Sequence, residues 1–114
     1  MLDKTRDRLE DVLAAAAYIA SVAESMSEAE YVANDMARFA IERNLITIGE
    51  ALARIRSTER SIADLISTSE EVVGMRNSMV HEYKKTDDVA VWQTVTVFLP
   101  ALVEEVEAIL DAQS

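Results

Sequence analysis

Within the stretch GMRNSMVHEYKK, residues 74 to 85, three side chains are of types that can handle a phosphate: Arg76, His81 and Tyr83. His81 is the only histidine in the chain, and its unperturbed pKa of about 6.5 lets it take and give a proton at neutral pH. A guanidinium five residues upstream offers forked donors to a phosphoryl group as charge builds on its oxygens. Asn77 follows the arginine directly and adds an amide that can both donate and accept. Tyr83 places a phenol two residues past His81, and Lys84 and Lys85 follow it as candidate contacts to a polyanion. No acidic cluster of metal-ligand spacing accompanies them. The chemistry these residues suggest is proton transfer with charge stabilisation, with no resident metal or cofactor.

Arg76 stands in an unusual place. At about 100° of rotation per residue, Val72, Val73, Met79, Val80 and Tyr83 all fall within about 60° of it, so it occupies the middle of an apolar arc. An arginine there needs a carboxylate, a solvent cavity or a second subunit. Glu50 is one candidate partner for it, and Arg54, four residues after Glu50, is an equally good partner for that carboxylate. His81 lies about 140° round from Arg76 on an ideal helix, so one unbroken helix does not aim both at a single phosphate. Either the helix ends or distorts near Glu82, or a twofold axis completes the pair across a homodimer. The dimer is the preferred solution, because it also explains an arginine among valines.

The elements that must position these groups are helical. Two glycines and one proline in 114 residues, half of them apolar, describe a helix-forming chain. Leu2, Leu9, Val12, Leu13, Ala16, Ile19, Ala20 and Ala23 keep three-and-four spacing, which predicts a first helix of about six turns. SEAE offers a capping box from Ser27 to Glu30, and Asn34 or Asp35 can cap a longer helix. In that helix Ile41, Leu45, Ile48, Leu52 and Ile55 form one stripe and Phe39, Ile46 and Ala53 another, which predicts packing on two sides. STERS ends it, SIADLI reads as a short helical turn, and a second capping box, Ser67 to Glu70, opens the segment that carries Arg76. Asp88 can cap a last helix through Val89, Trp92, Val95, Val103, Val106 and Leu110, which Pro100 kinks or divides. The fold expected is an all-α, up-and-down four-helix bundle with one additional short helix, a single domain over residues 1–114.

Charge and leader signals limit the setting. The formal charge of −10 argues against a general nucleic-acid binder. Residues 1–34 hold three basic and seven acidic groups, residues 86–114 six acidic and no basic ones, and residues 35–85 eight of each. A local basic patch around Arg54, Arg56, Arg60, Lys84 and Lys85 therefore remains available in the middle of the chain. The absence of cysteine fits a reducing compartment. The N-terminus lacks the apolar region of a signal peptide, and no apolar run approaches the roughly 20 residues of a membrane span. The expectation is a cytoplasmic protein with no membrane partner. Tyr18, Tyr31, Trp92 and Phe98 are dispersed and are assigned to packing, and the five methionines to core filling.

Arg-x4-His-x-Tyr with Asn directly after the arginine resembles the signature of the HEPN superfamily, specifically its HepT-like members. IGEA, Ile48 to Ala51, is similar to that family's other recurrent segment, and the helix order agrees along nearly the whole chain. The resemblance implies a HEPN-like bundle and a metal-independent endoribonuclease, the toxin of a toxin-antitoxin pair acting as a homodimer on RNA. It implies His81 as general base or acid toward the ribose 2′-hydroxyl, Arg76 as the group that stabilises phosphate charge, and Asn77 as a positioning residue. It further implies that Tyr83 is adenylylated by a nucleotidyltransferase antitoxin (MntA-like), which consumes ATP while the chain itself uses no cofactor. A second reading is a non-catalytic helical subunit that binds a nucleotidyltransferase or a nucleotide, with Arg76 and His81 serving structure and interface.

Overall fold

The three-and-four spacing of Leu9, Val12, Ala16 and Ile19 closes one buried face on α1, Asp3–Ala23, and the chain leaves that helix into a short α2, Glu28–Ala33. The structure, a computed structural model, describes residues 1–81 and 86–113, with His81 described by its backbone alone. Ser27 caps α2 through a reciprocal capping box with Glu30, as its sequence predicts. Asn34 then accepts from the Ala37 amide and starts α3, Asp35–Thr58, the longest helix described. α4, Arg60–Ala63, is a single turn, and α5, Ser69–His81, carries Arg76 and Asn77. α6, Asp88–Gln93, runs through a π-helical turn, Thr94–Phe98, into α7, Leu99–Ala112.

These helices form the expected all-α bundle. α1 lies against α3 and α7, α3 lies against α5, and α5 touches the π-helical turn. Ile41, Leu45, Ile48, Leu52 and Ile55 of α3 are buried at its centre, facing Leu9, Val12 and Ile19 of α1 and Leu102 and Val106 of α7 within one core. Tyr31 of α2 and Trp92 of α6 stack with ring centroids 5.2 Å apart, closing one end. At the same end Arg38 of α3 reaches Asp88 at 3.6 Å, fixing where the chain re-enters the bundle before α6.

Several local expectations are corrected. Two short helices, α2 and α4, supplement the four main ones rather than one. Ser67 does not cap α5: its amide and hydroxyl both bind the Glu105 carboxylate of α7, at 3.0 and 3.1 Å, and the helix begins two residues later. Asp87, not Asp88, caps α6 by accepting from the Val89 and Ala90 amides. Pro100 sits in the first turn of α7, where its missing N–H is tolerated, and the irregularity lies in the π-helical turn before it. The helical run Asp88–Ala112 is long and apolar enough to cross a membrane by length and composition, contrary to the expectation that no run is. Its Val91, Val95, Leu99, Leu102, Val106 and Ile109 nevertheless face the core. The second stripe of α3 is packed only in part: Ile46 and Ala53 lie against the core, whereas Phe39 is 65% exposed and Met36, three residues before it, 83%.

Candidate active site

The site is built where α3 and α5 come closest. A Cβ on Gly49 would stand 2.3 Å from the Arg76 Cβ, so only glycine permits this approach. The contact sets the arginine stem directly over the α3 backbone. Glu50 follows Gly49 by one residue, and its carboxylate lies 3.5 Å from the Arg76 guanidinium. A second guanidinium nitrogen donates to the Asn77 side-chain oxygen at 2.8 Å. The third, Nε, is buried without a hydrogen-bond partner among the described residues.

Arg76 is therefore neither sealed in the core nor free on the surface. Its apolar neighbours Val72, Val73 and Met79 are buried, while its own side chain is one-quarter exposed. It opens onto a cleft of about 470 Å³ lined with Glu50, Ala53, Arg54 and Ser57. Of the two partners the sequence offered Glu50, the structure selects Arg76. Arg54 lines the same cleft but makes no ion pair among the described residues. A cleft with one anchored and one unpaired guanidinium can bind and polarise a phosphoryl group.

The structure brings Arg76, Asn77 and Glu50 together. His81 ends α5 with its backbone, but its side chain, like all of Tyr83, Lys84 and Lys85, lies outside the described residues. Among the described residues no three histidine, aspartate or glutamate side chains gather in the manner of a metal site. Near the other end of α3, Glu42 is half-buried, and burial, followed by the nearby Asp88, pushes its carboxyl above the ordinary value of 4.5 while Arg38 opposes the rise. Burial likewise raises the Tyr31 phenol, whose hydroxyl has no hydrogen-bond partner among the described residues.

The profile described as "Ribonuclease HepT-like" matches residues 12–109. The chain belongs to the HepT-like ribonuclease family. Among its relatives, "Putative RNase MJ1380" of Methanocaldococcus jannaschii is 31% identical over 101 residues, covering 89% of this chain and 92% of that protein. "Putative RNase MJ0125" of the same organism is 30% identical over 102 residues, covering 90% and 87%. "Putative RNase TTE0752" of Caldanaerobacter subterraneus is 26% identical over 108 residues, covering 95% and 96%. No solved structure matches the chain.

The contact between α3 and α5 makes the IGEA segment intelligible in physical terms. Gly49 and Glu50 are its two central residues, one admitting α5 and the other meeting Arg76. Sequence reasoning named Glu50 but missed Gly49 as a site residue. The available signal was a glycine in the interior of a strongly helical pattern, which costs about 1 kcal/mol against alanine and so points to a packing reason.

Proposed function

We propose that this chain is a metal-independent endoribonuclease toxin whose site pairs Arg76 with His81. The observation that carries the reading is the Arg76 guanidinium, set within an apolar face, held by Glu50 and Asn77, and one-quarter exposed at the cleft it lines with Arg54. In the reaction, the 2′-oxygen of a ribose attacks the adjacent phosphorus and gives its proton to His81. The bond from phosphorus to the 5′-oxygen breaks, and that oxygen receives a proton, leaving a 2′,3′-cyclic phosphate on one product. Arg76 stabilises the charge on the non-bridging oxygens. Asn77 keeps the guanidinium in place and contacts substrate.

The active form in this reading is a homodimer. The stripe of Met36, Phe39 and Ile46 on α3 continues by threes and fours through Glu50 and Ala53 beside Arg76. Its exposed apolar residues favour a second copy at this side of the bundle, which would bring two copies of the α5 motif near one axis. Adenylylation of Tyr83 by a nucleotidyltransferase antitoxin moves AMP from ATP to the phenol oxygen and releases pyrophosphate. Bulk and negative charge then occupy the place of the RNA phosphate. Lys84 and Lys85 serve as RNA contacts, and the cytoplasm as the place of action.

The decisive test is RNA cleavage and growth arrest by the parent chain and by His81→Ala. Loss of both, with helix content and oligomeric state retained, supports the catalytic assignment. An alanine variant as toxic as the parent would leave the helical-subunit reading in its place. Mass spectrometry after incubation with the partner enzyme and ATP should find the AMP on Tyr83, and a modification elsewhere with Tyr83 untouched overturns that part.

A further inference from the structure

The far end of the α3–α5 seam holds a second group of donors, outside the Arg76 cleft. Arg56, Arg60, Asp64, Ser67, Ser69 and Glu70 line a cleft of about 210 Å³. Ser69 is 5% exposed, and its buried hydroxyl has no hydrogen-bond partner among the described residues. Such a group is unfavourable unless something else satisfies it. Ser69 also opens α5, a 13-residue helix; its own amide donates to the Ile66 carbonyl oxygen at 3.3 Å, which leaves the Glu70 and Glu71 amides at the positive end of the helix dipole without an acceptor among the described residues. Half-buried Arg56, near the end of α3, makes no ion pair or hydrogen bond among the described residues.

The acidic groups nearby do not answer these donors. Asp64 is exposed and taken by Arg60 at 3.4 Å, and Glu105 is committed to Ser67. Glu70 is exposed at the rim. A guanidinium, a buried hydroxyl and the Glu70 and Glu71 amides thus converge without an acceptor among the described residues, which is the donor set of an oxyanion site.

We propose that this cleft is a phosphate subsite that takes a backbone phosphodiester of the RNA lying across Arg76. Ser69 and Arg76 are seven residues apart on one helix, so they share a face within about 20° and are separated by about 10 Å along it. An extended strand covers that distance in a few nucleotides. One RNA chain engages both positions, and the subsite sets the register in which the strand crosses Arg76. The RNA assignment rests on the ribonuclease reading above, whereas the affinity for phosphate does not.

The test has two arms. Inorganic phosphate is titrated into isotope-labelled protein and followed by amide shifts, and a short fluorescein-labelled single-stranded RNA is bound at several salt concentrations. Each arm uses the parent, Arg56→Gln, Arg56→Lys, Ser69→Ala and Arg76→Gln. Phosphate should move the amides of Ser69, Glu70 and Glu71 in the parent and in Arg76→Gln but not in Arg56→Gln. Arg56→Lys, which keeps the charge, should retain the response and guards against a folding defect. RNA affinity should fall about ten-fold in Arg56→Gln, and less in Ser69→Ala. The slope of log affinity against log salt should shrink by about 0.7, the share of one single-strand phosphate contact. Phosphate shifts that are absent or lie elsewhere overturn the subsite. Shifts at Ser69–Glu71 with RNA affinity and slope untouched by Arg56→Gln mean a free phosphate ligand and overturn the RNA assignment. If no variant binds or cleaves RNA while phosphate still moves these amides, the ribonuclease reading falls and the phosphate site stands.

Discussion

Replacing Gly49 by alanine puts a methyl carbon 2.3 Å from Cβ and 2.8 Å from Cγ of Arg76, and 3.4 Å from the Val72 carbonyl oxygen. Carbon atoms sit comfortably at roughly 3.5–4.0 Å, so α3 and α5 must part by more than an ångström at this level. No rotamer change relieves the clash, because Cβ is fixed to the α5 backbone. Overpacking of this kind costs about 3 kcal/mol, the upper end of its usual range. The gain from removing a helical glycine is about 1 kcal/mol, leaving a net loss of about 2 kcal/mol. For a chain of this size that lowers Tm by roughly 10 °C. Urea denaturation measures the loss, and RNA cleavage reports on the displaced guanidinium. Gly49→Ala should lose as much stability in an Arg76→Ala background, since the Cβ remains, and much less in Arg76→Gly. A Gly49→Ala variant more stable than the parent and equally active would refute the reasoning.

Arg76→Lys keeps a charge but loses the fork that Glu50 and Asn77 hold, so kcat for RNA cleavage should fall about a hundred-fold with the fold intact. Asn34→Ala removes the α3 cap and should lower stability by about 1 kcal/mol in urea titrations. Because burial and Asp88 raise the Glu42 carboxyl above 4.5 in the folded chain, the native state binds this proton more tightly than the unfolded one, and stability falls as pH rises through the window just above 4.5. Glu42→Gln should therefore raise Tm at neutral pH and flatten that decline, and a less stable glutamine variant at neutral pH would contradict it. Phe39→Glu should shift sedimentation from dimer to monomer, and an unchanged dimer would place the interface elsewhere.

Much of the architecture was legible because helical periodicity is a local property. The buried stripe from Ile41 to Ile55 follows from three-and-four spacing alone, and Ser27 with Glu30 announces its own cap because both partners lie within one turn. The cap assigned to Ser67 failed for the opposite reason, since a carboxylate 38 residues away at Glu105 competes for the same hydroxyl and amide. A hydroxyl bonds the acceptor that folding brings near, and chain separation gives no hint of it.

The amino-acid order determined that Arg76 sits in the middle of an apolar arc and that α3 bears two apolar stripes, because both follow from the angle between successive residues. Tertiary structure decided that Glu50 meets Arg76 rather than Arg54, since that choice depends on how closely two helix backbones approach at Gly49. It also decided that Phe39 stays exposed while Ile46 and Ala53 of the same stripe pack on the core, and that Ser69, Arg56 and the start of α5 share one cleft. Those facts depend on distances between elements, and the pattern along a single helix does not contain them.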